Sequence, residues 1–235
     1  METAVIAGVG PGLGASLARV FAKEGFSVCL LSRHAESSEP VAAQITDQGG
    51  KALALQVDVT DGKAVVRALD KCRAQLGAVT VLAYNASGSG RGPFLELDSE
   101  TIRKSFEVGT MGAVYLAQAV IPDMLQAGHG FISLTGATAS LRGRSGFAPL
   151  AITKSSLRIL GQSLAREFHP QGIHVVHVIV DGQIDTPKHR AREPQRNPET
   201  LIPPDTIADA IIHTFRQPKN AWTHEIDIRP YGEDF

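Results

Sequence analysis

An apolar run, Thr3-Ala4-Val5-Ile6-Ala7, leads without a break into Gly8-Val9-Gly10-Pro11-Gly12-Leu13-Gly14 and then into Ala15-Ser16-Leu17-Ala18-Arg19-Val20-Phe21-Ala22. The first segment reads as a buried strand and the second as a tight turn. The third reads as a helix, because Leu13, Leu17, Val20 and Phe21 share one face that can pack back on a sheet. A strand, a glycine turn and a helix in that order leave backbone N–H groups at the helix start pointing at whatever approaches the turn. Glycines let the backbone come close to it. That geometry suits the pyrophosphate of a dinucleotide, with Gly8, Gly12, Leu13 and Gly14 as its candidate contacts. A glycine-rich turn alone is a weak signal, and a purely structural turn has the same composition; the flanking strand and helix are what raise it.

Further strands are expected at Ser27 to Leu31, Ala52 to Val57, Val79 to Ala83, Gly130 to Leu134, His174 to Val180 and Thr223 to Ile228. Helices are expected between them: around Val41 to Gln48, from Asp61 to Leu76 with Thr60 or Asp61 as cap, and from Leu150 to Phe168. A long helix from a Ser99 cap to about Gln126 should kink near Pro122, and another should start at Pro204 or Asp205. Strands that alternate with helices, and that are apolar throughout rather than every second residue, predict a doubly wound parallel α/β sheet of about seven strands, with helices on both faces. This is a Rossmann-type fold, filled by one domain spanning residues 1–235. Thr186 to Pro203, rich in Pro, Arg and Glu, is the least regular stretch and reads as a mobile flap.

The chain has 235 residues, and 23 Lys and Arg nearly balance 24 Asp and Glu, which gives no global pull towards nucleic acid or an anionic membrane. Cys29 and Cys72 are 43 positions apart without metal-ligand spacing, and Cys29, inside an apolar run, reads as a reduced core residue. No apolar stretch stands out as a membrane span and no basic segment precedes an apolar one at the N-terminus. A cytoplasmic protein is expected.

Arg33 follows the second strand, where an acid would bind the 2′-hydroxyl of an NAD ribose and an arginine can accept the 2′-phosphate of NADP. Position 32 is serine and His34 adds another donor, so NADP(H) is favoured over NAD(H), although a solvated arginine at a strand end has the same sequence.

At this point the residues resemble a family, the short-chain dehydrogenase/reductases, along nearly the whole chain. Gly8-x-x-x-Gly12-x-Gly14 matches its glycine motif, with Ala7 in place of the usual Thr. Asp58-Val59 matches the pair that meets adenine, and Tyr84-Asn85-Ala86-Ser87 is similar to the family's Asn-Asn-Ala-Gly. Asp181-Gly182-Gln183-Ile184-Asp185-Thr186 is similar to Pro-Gly-x-x-x-Thr. The resemblance implies that Asp58, Val59 and Asn85 contact the cofactor and that Ile184 and Thr186 face the nicotinamide. It also implies a small-molecule substrate and a homodimer or homotetramer built through the long helices.

The same resemblance implies a catalytic Asn, Ser, Tyr and Lys, and here the chain departs. Lys154 matches the lysine; the other three positions are Gly109, Ala137 and Leu150. A one-residue shift would bring Thr138 to the serine's place. A phenol needs a neighbouring cation to act as an acid–base near neutrality, and without the phenol Lys154 keeps only a ribose-holding role, unless it is a surface lysine. Losing a positioned general acid removes roughly 10²- to 10⁴-fold in rate. Hydride transfer remains open because the cofactor carries it. Catalytic candidates are Lys154 and Thr138; Ser140 and Ser145 are poor acids. Asp181, an ordinary turn aspartate by type, stands where the nicotinamide end should lie. His174 and His177, three apart on one strand, should face opposite sides of the sheet as core or interface residues. The flap's Lys188, His189, Arg190, Arg192 and Arg196 suit either a lid over an anionic substrate or a solvated loop. Two functions follow: an oxidoreductase with a non-standard proton donor, or an NADP(H)-binding protein without turnover that acts as sensor, regulator or inactive partner.

Overall fold

The computed structural model describes residues 2–232. The chain begins β1 (Thr3–Ala7), α1 (Leu13–Lys23), β2 (Ser27–Ser32), α2 (Ala35–Asp47), β3 (Ala52–Gln56), α3 (Gly62–Leu76) and β4 (Val79–Tyr84). It continues with α4 (Ser99–Phe106), α5 (Gly112–Ala127), β5 (Gly130–Thr135), α6 (Ala148–Phe168) and β6 (Ile173–Val180). The remainder comprises β7 (Gln183–Ile184), α7 (Pro187–Arg192), β8 (Leu201–Ile202), α8 (Pro204–Phe215) and β9 (Glu225–Ile228).

Seven strands form one parallel sheet in the order β3-β2-β1-β4-β5-β6-β9. Along β1, Val5 and Ala7 enter one core with Leu69, Leu116 and Leu157, while Ala4 and Ile6 enter the other with Leu17, Phe21 and Ile211. Burial on both faces is why the strands are apolar without alternation. Cys29 and Cys72, both free and buried, meet in the first of these cores despite their separation in sequence. The strand order reverses between β1 and β4, so a crevice opens at the carboxyl ends of the strands there.

Several expected boundaries move. The third strand stops at Gln56, and the last begins at Glu225 rather than Thr223. Helix α2 starts at Ala35 and tolerates Pro40, an exposed residue, within it. Asp61 caps α3 by accepting from Lys63 N and Ala64 N, but Asp98 rather than Ser99 caps α4. Helix α6 starts at Ala148 with Pro149 in its first turn, where a missing N–H costs nothing.

The long helix expected from Ser99 breaks its regular ladder at Glu107–Met111, a π-helical turn, and not at Pro122, which lies inside α5. A side chain at Gly109 would collide with Thr153 Cγ2 and one at Gly112 with Tyr84 Oη, so this wide turn packs where only glycine fits. From Ser99 to Ala127 the helix spans 29 residues and is long and apolar enough to cross a membrane, contrary to the expectation that no stretch reaches that length. Half of its most apolar window is buried within the fold, and α5 packs on β4, β5 and α3, as a core helix does.

The segment expected as an irregular flap carries α7 and β8. Thr186 caps α7 by accepting from His189 N (3.2 Å), and β8 pairs with β7 in parallel, its Leu201 and Ile202 buried.

Candidate active site

The turn after β1 shows why three glycines are needed. Gly8 has φ +85°, and a Cβ there would collide with the Ala86 backbone at the end of β4. At Gly14 a Cβ would lie 2.6 Å from Gly8 O, and at Gly12 it would lie 2.8 Å from Thr186 Cγ2. The glycines thus let helix α1, strand β4 and the flap converge on one point. Asn85 locks this convergence: its N donates to Ala7 O (2.9 Å) and its Nδ2 to Gly8 O (3.0 Å). Leu13 sends its side chain into the core, so only its main chain is available at the helix start.

The cleft beside the turn has a volume of about 400 Å³ and is lined by Gly8, Arg33, Val57, Val59, Asn85 and Ser87 among others. Arg33 is exposed, and among the described residues no carboxylate pairs with it. Ser32 is buried and occupied, with its hydroxyl donating to His34 O (2.8 Å) and lying 2.8 Å from Ser38 Oγ. Asp58 is exposed and its Oδ1 accepts from Thr60 N (3.0 Å) and Thr60 Oγ1 (2.8 Å), so it braces the turn after β3 while Val57 and Val59 face the cleft.

The far end of the crevice is built differently. Lys154 is buried and its Nζ donates to Thr135 O (2.6 Å), which excludes the surface-lysine alternative. Burial lowers its ammonium from the ordinary 10.5 to about 8. Leu150, one turn earlier on α6, is half-buried. Thr138 donates to Asp181 Oδ1, and Asp181, itself buried, lies 3.2 Å from Arg229 and 3.8 Å from Arg142. Asp181 is therefore held as part of a charged network. Ile184 packs against the second core, and Thr186 sits over Gly12.

A second buried network runs behind Thr138. Ala137 N donates to Ser140 Oγ (3.1 Å), Ser140 Oγ lies 3.2 Å from His177 Nε2, and His177 Nδ1 lies 3.0 Å from Glu225 Oε2. Arg158 clamps Glu225 through two hydrogen bonds of 2.6 and 2.8 Å. A carboxylate only accepts, so His177 carries its proton on Nδ1 and accepts the Ser140 hydroxyl's hydrogen bond at Nε2. Burial pushes the His177 imidazole down to about 4, which keeps it neutral in this role. Position 136 is glycine because a side chain there would strike the ring. His174 faces the other side of the sheet, stacked on Trp222 with centroids 4.6 Å apart.

Tyr84, in place of the family's first Asn, is fully buried and its hydroxyl donates to Val108 O in the π turn. Burial raises this phenol well above its ordinary value, so it stays protonated near neutrality. Gly109 cannot regain a side chain while Thr153 fills its space. The sequence reading missed His177, Glu225, Arg158, Arg229 and Arg142 as site-forming residues. Histidines inside an otherwise apolar strand were the one signal available; nothing local marks residues from β9 as neighbours of β6.

In the flap, Arg190 pairs with Asp185 just before it and Arg196 with Glu193 inside it, so two of its cations are engaged by nearby carboxylates.

The model of short chain dehydrogenases matches residues 2–197. An uncharacterised oxidoreductase of Staphylococcus saprophyticus is 26% identical over 230 residues, covering 97% of each chain. A short-chain dehydrogenase from Rhodopseudomonas palustris superimposes with a TM-score of 0.85 at 35% identity, over 98% of this chain and 99% of that one. A metagenomic short-chain oxidoreductase in complex with NADP gives 0.82 at 25% identity, over 97% of each chain. With the glycine turn, the reversed strand order and Lys154 in place, the chain belongs to the short-chain dehydrogenase family.

Proposed function

We propose that the protein is an NADP(H)-dependent oxidoreductase that interconverts a small carbonyl compound and its alcohol with a proton source other than tyrosine. The observation that carries this reading is the cleft beside Gly8, lined by an exposed Arg33 without a carboxylate partner. When bound, the nicotinamide cofactor supplies the hydride. The backbone around Gly8, Gly12, Leu13 and Gly14 holds the pyrophosphate, Arg33 the 2′-phosphate, and Asn85, Asp58 and Val59 shape the adenosine end. Ile184 and Thr186 flank the nicotinamide end. Lys154 is the group whose pKa, about 8, matches proton release near neutrality, and Thr138 offers a hydroxyl one residue from the family's serine position. In reduction the substrate oxygen gains the proton that Lys154 gives up, and a further proton restores the lysine. The outer faces of α5 and α6 expose Leu125, Ile152 and Ile159, and a homodimer or homotetramer through these helices goes with the same reading.

A second reading, a cofactor-binding protein without turnover, is favoured by the way Thr153 fills the space at Gly109: the site has been repacked around the loss. Hydride transfer from NADPH to a panel of aldehydes, ketones and quinones, with cofactor binding followed in parallel, separates the two. Turnover by the native protein supports the first. Binding without turnover, unrestored by Leu150→Tyr with Ala137→Ser, supports the second.

A further inference from the structure

The substrate end of the crevice is walled by two loops, residues 85–93 after β4 and residues 136–147 after β5. Neither loop contains an Asp or Glu, yet together they carry Arg91, Arg142 and Arg144. Gly92 N donates to Gly146 O (2.9 Å), which staples the loops together. Arg91 and Arg144 both pack on one ring: their Cζ atoms lie 5.3 Å and 5.8 Å from the centroid of Phe147. Both arginines are exposed, and among the described residues neither has a carboxylate partner, whereas Arg142 lies against Asp181.

Two like charges gathered on one aromatic ring repel each other, and cation–π attraction offsets only part of that. An incoming anion removes the repulsion. The place is also right. Ser87 and Ser89 of the first loop line the cofactor cleft, and Phe147 precedes Leu150 by one helical turn and Lys154 by two, roughly 10 Å along α6. We infer that the substrate carries an oxyanion, carboxylate or phosphate, that docks on the cationic patch formed by Arg91, Arg144 and Phe147 while its carbonyl or alcohol carbon lies towards Lys154. This inference rests on the oxidoreductase reading above and names its substrate class; the charge it uses comes from these two loops and not from the flap.

The test uses matched pairs that differ in charge: benzoylformate against its methyl ester, and glyceraldehyde 3-phosphate against glyceraldehyde. Turnover with NADPH and calorimetric binding to the NADPH-loaded protein are measured for each. The expected result is a preference of at least about tenfold for the anionic member, cut about tenfold by Arg91→Ala or Arg144→Ala and weakened by salt. NADPH affinity should not change. Equal handling of acid and ester, a preference that survives in the double variant, or a parallel loss of NADPH affinity overturns the inference. Anion binding without turnover of any compound supports the docking site and defeats the oxidoreductase reading. Turnover without charge preference does the reverse, and the absence of both defeats both.

Discussion

The two ends of the crevice solve different problems with different materials. Around the glycine turn, backbone dominates: glycines at 8, 12 and 14, one Asn85 side chain tied to Gly8 O, and apolar Val57 and Val59. Around Lys154, charged and hydroxyl side chains dominate, joined in two networks centred on buried Asp181 and buried His177, Thr138–Asp181–Arg229 and Ser140–His177–Glu225–Arg158. A backbone cradle serves any dinucleotide and is hard to alter without losing it, since each replaced glycine collides with main chain or with a close neighbour. A side-chain site can lose three groups and be rebuilt from others. The glycine turn and Lys154 are present here beside Gly109, Ala137 and Leu150.

The sharpest way to break that contrast is at the cradle. Gly8→Ala places a Cβ against the Ala86 backbone at φ +85°. It should weaken NADPH by more than about 100-fold and cost roughly 2–4 kcal/mol of stability, whereas Gly10→Ala, which meets open space, should do neither. Fluorescence titration and thermal melting check both, and normal NADPH binding by the Gly8→Ala protein would end the argument from glycine geometry. At the other end, Asp181→Asn leaves the Thr138 hydrogen bond in place but removes the charge facing Arg229 and Arg142. Because Arg229 also pairs with Asp227 and Arg142 is half exposed, neither is left as a lone buried charge, and the loss is about 1–3 kcal/mol. Chemical denaturation should show most of that loss with little change in NADPH affinity, and a large affinity change would show that the two ends are coupled.

Lys154 tests the comparison through pH. Its folded-state pKa is about 8 against an ordinary 10.5, so between these values the unfolded chain binds more protons and stability rises with pH. The penalty of burying the ammonium is full below pH 8 and fades towards pH 10.5. Lys154→Met should remove this rising limb, worth up to about 3 kcal/mol, in melts at matched pH; an unchanged profile would place the lysine in water. Last and smallest, Arg33→Ala should weaken NADPH roughly 10- to 100-fold, the range of a charged hydrogen bond, while leaving NADH nearly untouched. Equal weakening of the two would remove the ground for choosing NADP.

Much of the scaffold was legible because local pattern carried it. The run Thr3–Ala7, the glycine turn and the alternation of apolar strands with amphipathic helices are all short-range signals, and the structure places them as a seven-stranded parallel sheet. Ends were less legible. Ser99 and Asp98 are both good caps, and only the fold chose between them. The π turn at Glu107–Met111 depends on Tyr84 and Thr153 filling space beside Gly109 and Gly112, which no pattern within the helix records.

The sequence by itself determined the βα unit that cradles a dinucleotide, the layered α/β architecture and the absence of tyrosine four residues before Lys154, because each depends on neighbours within a turn or two of chain. Only the tertiary structure decided which charged and polar side chains meet. Asp181 meets Arg229, His177 meets Glu225 and Ser140, and Arg91 meets Phe147 across separations of tens of residues. Electrostatics and burial act through space, and strand order, which brings β5, β6 and β9 side by side, sets which charges become neighbours.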